Sequence, residues 1–363
     1  MSSGELVVDQ AGATGQVNEL FRHMLLEPGL RMTLGDVATA TPERVGQHLG
    51  DVDEDCPDQW ADKRLISLDD MANNGNHSVV FSGLRTEEAA EHEDWLALGR
   101  LLVTNASAHR MRDDVALVSP FVNPHHIDEM AGFGRPGRII AGGNCMGDII
   151  IPPVAALHRG IGIRSMFIET LQGWSGKGLS EVPKEHEGEI IEMDGDEAIK
   201  IGTEPKKMLG VSLQEPADMT ITAKPNRGPW VRGHHAAIYA TLNETTTLPE
   251  VQELLRSFRA PEQLEALRAE LQAISRAGHY ERWPRKHQPI NPIRLRYRDL
   301  LRYDTMPLRL TGVHPMRVKA HVRNVDEKGP ARIEFEVAGD NLVLGAVGGN
   351  LLNIAYARAM GYI

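Results

Sequence analysis

Polar and apolar residues near the start of the chain follow the order expected of a strand, a turn and a helix. Residues 5–11 read Glu-Leu-Val-Val-Asp-Gln-Ala, which is typical of a short strand, and Gly12 and Gly15 follow directly. We therefore predict a strand, a glycine turn and a helix that begins near Gln16.

Short apolar runs then alternate with stretches of helical character. Residues 77–82 and 101–105 read as strands, and residues 86–100 between them can form a helix. Such alternation predicts an α/β fold, in which helices cover the faces of a parallel sheet. The acidic residues 51–58 interrupt the pattern, and we interpret them as a solvated loop.

The pattern changes after residue 145, where we expect a second domain to begin. Residues 248–278 are charged and amphipathic and predict two helices interrupted at Pro261, with an apolar face that has no obvious partner within the chain. That face predicts a homo-oligomer, either a homodimer or a homotetramer. Residues 283–307 remain unassigned. The other predicted elements are a helix at 149–159, strands at 163–170, 219–223, 236–240, 317–325 and 331–337, a glycine turn at 173–178, and a final helix within 340–360.

Composition narrows the class of protein. The length of 363 residues suits two domains, and the net charge of −11 at pH 7 opposes binding to nucleic acid or to an anionic membrane. With two cysteines, Cys56 and Cys145, the chain cannot form a disulfide framework, and we expect no metal site. Because no apolar run is long enough to span a bilayer and no secretion signal is visible, we expect a cytoplasmic protein.

Two segments carry candidate chemistry. Gly12 and Gly15 lie between a predicted strand and a predicted helix, so backbone N–H groups there can approach a pyrophosphate. A turn that binds no ligand is an equal alternative. Cys145 follows a glycine-rich segment and precedes an apolar helix, and the dipole of that helix would favour its thiolate. The alternative for Cys145 is a small buried apolar residue.

Seven segments, in order along nearly the whole chain, together resemble one family, aspartate-semialdehyde dehydrogenase. They correspond to its nucleotide turn, its phosphate-binding arginine, its Pro-x-Val-Asn stretch, its nucleophile loop, its Gln-x-x-Ser-Gly-x-Gly turn, its Glu-x-x-Lys segment and its paired arginine and histidine. In this chain these are Gly12 to Val17, Asn105 to Val115, Val118 to His126, Gly142 to Cys145, Gln172 to Gly178, Thr203 to Leu209, and Asn226-Arg227 with His234.

The resemblance implies an architecture and a reaction. It implies an N-terminal Rossmann-type nucleotide-binding domain at 1–144, completed by the C-terminal helix within 341–363. It also implies an α+β catalytic and dimerisation domain at 145–340, as in glyceraldehyde-3-phosphate dehydrogenase. The expected reaction is the reversible, NADP-dependent reduction of an acyl phosphate to an aldehyde through a cysteine thioester. The simplest substrate is L-4-aspartyl phosphate, with phosphate as the second small-molecule partner.

Roles follow from the resemblance residue by residue. Cys145 would attack the acyl carbon, His234 would serve as general acid and base, and Gln172 would orient the thioester. Substrate binding would use Arg110 and Lys207 for the acyl phosphate, Glu204 for the amino group and Arg227 for the carboxylate, with Asn144 beside them. NADP, or alternatively NAD, would bind Gly12, Thr14, Gly15, Gln16, Val17, Ser175, Gly176 and Asn341.

Some residues depart from the family pattern and keep other functions open. Met146-Gly147-Asp148 follows the nucleophile where the family commonly has threonine, and an acidic Asp148 facing the thiol would oppose thiolate formation. Trp174 is bulkier than expected, and Arg44 is an ambiguous candidate to contact a 2′-phosphate. The alternatives are a reductase of another activated acid, such as malonyl-CoA or a modified aspartyl phosphate, and a catalytically lapsed nucleotide-binding paralogue.

Overall fold

Strands with buried residues in the first 142 positions assemble a parallel sheet. The computed structural model describes residues 4–134, 137–277, 306–307, 319–326 and 330–363. Within them the parallel sheet has the strand order β3-β2-β1-β4-β5-β7-β6. Its strands are β1 Leu6–Ala11, β2 Met32–Thr39, β3 Leu65–Ser67, β4 Val79–Ser82, β5 Leu101–Thr104, β6 Ala116–Val118 and β7 Arg138–Gly142.

Helices connect these strands, as the alternating pattern predicts. The central strands β4 and β5 are buried at every residue, because helices cover both faces of a parallel sheet. The α/β prediction and the nucleotide-binding type of the first sheet are confirmed. The helices of this part are α1 Gln16–Leu25, α2 Leu49–Val52, α3 Asp58–Ala61, α4 Leu68–Asn74, α5 Thr86–Leu96 and α6 His125–Gly132.

A second, mixed sheet follows, with the order β12-β13-β14-β11-β8-β10-β9 in the described residues. The long strands β8 and β10 run parallel, and β11 lies antiparallel to β8 and β14. The register places His234, the first residue of β11, opposite Gln172, the last residue of β8. The strands are β8 Ile163–Gln172, β9 Ile191–Glu192, β10 Thr220–Arg227, β11 His234–Leu242, β12 Met306–Pro307, β13 Lys319–Asp326 and β14 Arg332–Gly339.

The helix that follows β7 links the two sheets. Helix α7 spans Cys145–Gly160, so it begins four residues before the predicted start at Ile149. It is buried from Met146 to Leu157 and packs against β8, β11 and β14 of the mixed sheet. Among the helices of the described residues, none is both long and apolar enough to cross a membrane.

The remaining helices correct one prediction about residues 248–278. These residues form α9 Leu248–Ser257, a 3-10 segment and α10 Arg268–Ala277, and Gly278 lies outside the described residues. The apolar face finds partners within the chain, since α9 packs on α7 and α10 packs on the last helix, α11 Gly348–Ala359. It therefore gives no reason to expect an oligomer. Helix α11 in turn packs on β5 and β7, and the domain boundary at 144/145 stays a prediction.

The acidic segment is only partly the solvated loop that we predict. Helices α2 and α3 include its two ends. The side chain of Asp53 is buried and forms an ion pair of 2.6 Å with Arg22 of α1. Arg22 also donates to the side chain of Gln10 at 3.0 Å. Charge density along the sequence could not show this, because the partner of Asp53 lies 31 residues away.

Candidate active site

The glycine turn after β1 forms as predicted. Gly12 and Gly15 both have φ near 100°, a conformation that favours glycine. Asn18 occupies the position of the usual third glycine, and its side chain donates to the carbonyls of Thr14 and Gly83. The amide of Asn18 therefore fills the space between the turn and the end of β4 and fixes both segments.

A cavity of about 510 Å³ opens above this turn. Every predicted nucleotide-binding residue of the turn lies in its wall, namely Gly12, Thr14, Gly15, Gln16 and Val17. Arg44, after the end of β2, also lines the cavity and donates a 2.8 Å hydrogen bond to the hydroxyl of Thr14. The structure thus places a guanidinium at the mouth of the cavity, which the sequence left ambiguous.

A second cavity, of about 420 Å³, adjoins the first. Five residues line both cavities, which therefore share part of their wall: Val17, Leu84, Arg85, Ser175 and Gly176. The wall of the second cavity contains the predicted residues Arg110, Asn144, Cys145, Gln172, Arg227 and Asn341. Asn341 holds the turn of Ser175 in place, because its amide contacts the hydroxyl of Ser175 and accepts from the backbone N–H of Gly233.

Cys145 is the first residue of α7. The side chain of Asn144 caps this helix by accepting from the backbone N–H groups of Met146 and Gly147. Gly345 lies against the nucleophile, since a Cβ at that position would be 3.0 Å from the Cβ of Cys145. The absence of a side chain at 345 allows the C-terminal segment to close one wall of the cavity around the sulfur.

His234 lies within hydrogen-bond distance of the sulfur. Its Nε2 is 3.1 Å from Sγ of Cys145, and its Nδ1 accepts from the backbone N–H of Gly173 at 3.0 Å. The carbonyl of Gly233 can accept a hydrogen bond from the ring when the ring is protonated, and it thereby favours that form. The N–H of Gly173 can donate to the same carbonyl, at 3.1 Å. Nδ1 therefore has a backbone partner with or without a proton. In the neutral ring that carries its proton on Nδ1, facing the carbonyl of Gly233, Nε2 is free to accept the thiol proton.

The resting pair is an uncharged thiol and an uncharged imidazole. Burial, together with the positive charge of Arg227, lowers the pKa of His234 to about 3. Burial, followed by the negative charge of Glu197, raises the pKa of Cys145 to about 12. The expectation that the helix dipole favours the thiolate is wrong for this state, because a dipole contributes only about 0.3–1 kcal/mol and burial outweighs it.

Glu197 accepts hydrogen bonds from the polar side chains beside Cys145. Its carboxylate accepts from the side-chain amide of Asn144 at 3.1 Å and from that of Gln172 at 2.9 Å. It lies on helix α8, Gly195–Met208, three residues before Lys200, and both residues line the cavity. Sequence reasoning missed this pair.

The structure does not bring Glu204 and Lys207 to the cavity. Glu204 is buried, pairs with Arg110 at 3.0 Å and accepts from the backbone N–H of Asn144 at 2.6 Å. Lys207 donates to the carbonyls of Arg110 and Arg112, and burial lowers its pKa to about 8. Both side chains thus support the segments that carry Arg110 and Asn144, and neither is placed to hold substrate.

Helix periodicity explains the misplacement. Glu-x-x-Lys occurs twice in α8, at 197–200 and at 204–207. Seven residues are close to two helical turns, so both pairs share a face of the helix and differ by about 10.5 Å along its axis. The spacing alone could not tell which pair reaches the cavity.

Arg227 and Asp148 complete the surroundings of the nucleophile. Arg227 lines the cavity and donates to the carbonyl of Gly173 at 2.7 Å. Asp148 is buried beneath the helix start, outside the cavity wall, and burial raises the pKa of its carboxyl well above the usual range. The objection that its sequence position suggests therefore carries little weight, because Asp148 raises the pKa of Cys145 less than burial and Glu197 do.

Comparison with known proteins agrees with this arrangement. Residues 8–130 match the family model described as "Semialdehyde dehydrogenase, NAD binding domain". The chain is 28% identical to an aspartate-semialdehyde dehydrogenase of Archaeoglobus fulgidus, across 94% of this chain and 95% of that one. It is 25% identical to a malonyl CoA reductase (NADP) of Metallosphaera sedula, across 97% and 96%.

A solved structure shares the fold over the full length. The aspartate semialdehyde dehydrogenase of Candida albicans, solved with NADP, superimposes with a TM-score of 0.74 at 24% identity, covering 99% of this chain and all of the other. The match thus extends across both sheets. Residues 8–130 thus carry the NAD-binding domain of the semialdehyde dehydrogenase family, and over nearly its whole length the chain is similar in sequence to aspartate-semialdehyde dehydrogenases.

Proposed function

We propose that this protein is an NADP-dependent, phosphorylating aldehyde dehydrogenase that interconverts L-4-aspartyl phosphate and L-aspartate 4-semialdehyde. The observation that carries the proposal is the 3.1 Å contact between the Cys145 sulfur and His234, at a cavity that adjoins the one above the glycine turn. A sulfur nucleophile, an adjacent base and a nucleotide cavity are the components that thioester chemistry with hydride transfer needs.

The first cavity suits a phosphorylated dinucleotide. Backbone N–H groups at Gly15 and Gln16 lie at the start of α1, where a pyrophosphate is favoured. Arg44 supplies a positive charge near the end of β2, the region where an arginine accommodates the 2′-phosphate of NADP. Ser175 and Gly176 would contact the end of the nucleotide that enters the second cavity. When bound, NADP supplies the hydride acceptor or donor.

The second cavity suits an amino-dicarboxylate. Arg227 presents a guanidinium for the substrate carboxylate, and Glu197 presents a carboxylate for its ammonium group. Arg110 and Lys200 supply positive charge for the phosphate. We thus assign to Glu197 and Lys200 the substrate roles that the sequence suggested for Glu204 and Lys207. Asn144 and Gln172 would orient the reacting group beside the sulfur.

In the oxidative direction, His234 takes the thiol proton as Cys145 adds to the aldehyde carbon, and it then protonates the oxygen of the resulting thiohemiacetal. As hydride leaves the carbon, His234 accepts this proton back and a thioester remains on Cys145. Phosphate then displaces the thiolate, which leaves as acyl phosphate forms and is reprotonated by His234. The low pKa of His234 makes its protonated form a strong acid.

The charge pattern favours this substrate over malonyl-CoA. Malonate has no ammonium group, so a negative Glu197 in the cavity wall would gain no charged partner from that substrate. A cation at the position of the substrate amine is the natural partner for this carboxylate. Glu197 is therefore the residue that we expect to discriminate between L-4-aspartyl phosphate and malonyl-CoA.

The test is reduction of NADP⁺ with L-aspartate 4-semialdehyde and phosphate. The wild type and Cys56→Ser should turn over, because Cys56 does not line either cavity, whereas Cys145→Ser should fall by at least about 10³-fold. Malonyl-CoA with NADPH serves as the competing substrate. Faster turnover of malonyl-CoA, or full activity of Cys145→Ser, would contradict the proposal, and a wild type inert in both assays would favour a lapsed paralogue.

The mixed sheet also suggests how copies of the chain assemble. Phe167 on β8 and Tyr239 on β11 are opposed in register, with ring centroids 6.3 Å apart, and they are 41% and 46% exposed. We propose that a second copy covers this face and forms a homodimer. Sedimentation of Tyr239→Lys at micromolar concentration should show monomers, whereas Val211→Lys, at a residue 78% exposed elsewhere, should match the wild type. A monomeric wild type would remove the idea.

A further inference from the structure

Arg227 is backed by an aromatic stack that the proposed reaction does not explain. The guanidinium carbon of Arg227 lies 5.8 Å from the centre of the Trp174 ring. On that indole stacks the imidazole of His186, with centroids 5.3 Å apart and planes 13° from parallel. Trp174 therefore contacts the substrate-binding arginine and also a residue of the segment after it.

Three contacts confine the guanidinium of Arg227. Its Nη1 donates to the carbonyl of Gly173 at 2.7 Å, and the indole of Trp174 supports it. On a third side lies Gly176, where an added Cβ would be 2.9 Å from Nη1. Nε of Arg227 has no hydrogen-bond partner among the described residues, so this N–H remains available to a ligand.

Tryptophan at 174 has a cost that simple packing would avoid. The side chain is 6% exposed, and its indole N–H has no acceptor among the described residues. Leucine would fill an apolar space without burying such a donor. What tryptophan adds is a flat π face, which attracts a guanidinium and holds it parallel to the ring.

The outer layer of the stack comes from an exposed segment. His186 closes the 3-10 turn Lys184–His186 and pairs with Glu189 at 3.6 Å. Trp174 therefore lies in contact both with this turn and with Arg227. The sequence departs from the family pattern at 174, and the structure shows that the departure lies against the residue assigned to the substrate carboxylate.

We propose that Trp174, backed by the stacked His186, is a positioning residue for carboxylate recognition, which fixes the guanidinium of Arg227 against Gly173 and Gly176. The inference rests on the proposed function, because Arg227 is assigned there to the substrate carboxylate. It predicts that the loss of the indole weakens binding of a carboxylate-bearing aldehyde and leaves the thioester chemistry intact.

The test compares two aldehydes that differ only in the carboxylate, L-aspartate 4-semialdehyde and 3-aminopropanal. Trp174→Leu should raise KM for the first about fivefold to tenfold, the range of a partly buried cation–π contact, with kcat and the KM for phosphate within twofold. The KM for 3-aminopropanal should not change. Trp174→Phe, which keeps a π face, should recover most of the affinity, and His186→Ala should show a smaller increase in KM.

Controls separate this inference from the proposed function. Thermal unfolding and NADP⁺ affinity are measured for each variant, so that a folding defect is recognised by a lower unfolding temperature and weaker NADP⁺ binding. Equal losses, or an unchanged KM in Trp174→Leu with an active wild type, would overturn the inference alone. A wild type without turnover would overturn the proposed function and with it the inference.

Discussion

The two Glu-x-x-Lys pairs of α8 provide a matched pair of variants. Glu197→Gln removes a charge from the cavity wall, whereas Glu204→Gln removes a buried charge two helical turns away. Glutamine keeps an oxygen acceptor, so the amides of Asn144 and Gln172 retain a partner at 197. The two variants differ in which group then loses its ionic partner.

The expected magnitudes differ in kind. At 197 the substrate ammonium loses a charge-assisted contact worth about 1.5–3 kcal/mol, which corresponds to a decrease of about 10-fold to 150-fold in kcat/KM. At 204 the guanidinium of Arg110 loses the carboxylate that pairs with it at 3.0 Å. Breaking a buried pair costs about 3–5 kcal/mol of the free energy of unfolding, so Glu204→Gln should be recognised by its stability.

The assay compares L-aspartate 4-semialdehyde with succinate semialdehyde, which lacks the ammonium group. Glu197→Gln should lose kcat/KM for the amino substrate and not for the deamino analogue. Glu204→Gln should change both values by the same factor and unfold at a lower denaturant concentration. Selective loss in Glu204→Gln, or equal loss in Glu197→Gln, would refute the assignment of the ammonium site to Glu197.

Three further predictions follow from burial. The rate of Cys145 alkylation by iodoacetamide should rise about tenfold per pH unit from pH 7 to 10 without a plateau, because the pKa of the thiol is about 12. Glu197→Gln should accelerate the alkylation, and a plateau near pH 8 would contradict the prediction. His234 stays neutral in the folded protein because its pKa there is about 3. In the unfolded chain the same ring takes up a proton as the pH falls below 6.5, so the free energy of unfolding decreases on acidification. The wild type should therefore lose about 2 kcal/mol more than His234→Gln between pH 7 and pH 5 in urea titrations, and equal losses would refute it. Asp53→Asn should lower the free energy of unfolding by about 3–5 kcal/mol because it removes the charge that pairs with Arg22. The exposed control Asp51→Asn should stay within about 0.5 kcal/mol of the wild type. Equal stability of the two variants would contradict the importance of the buried pair.

Local patterns predicted the parts of the fold that local physics determines. The strand, glycine turn and helix at 6–25 follow from apolar residues, from two positions that favour glycine and from the start of the helix at Gln16. The place of Cys145 at the start of a helix was also predictable from local sequence, and Asn144 caps that helix. In both cases the interacting residues are neighbours in the chain.

Predictions failed where a distant segment decides the outcome. The acidic residues 51–58 look solvated until Arg22 is brought to Asp53, and the apolar face of residues 248–278 looks free until α7 and α11 cover it. The pKa of Cys145 likewise depends on burial and on Glu197, 52 residues further along the chain, rather than on its helix alone. Contacts of this kind leave no periodic signal in the sequence.

The most direct test of the central chemistry is to trap the acyl group on the sulfur. The protein is incubated with L-aspartate 4-semialdehyde and NADP⁺ in the absence of phosphate, quenched in acid, digested and analysed by mass spectrometry. The account predicts one added aspartyl group on the peptide that carries Cys145, its loss when phosphate is supplied, and its absence in Cys145→Ser. NADP⁺ reduction with an unmodified Cys145 peptide, or an acyl group on Cys56 instead, would contradict it.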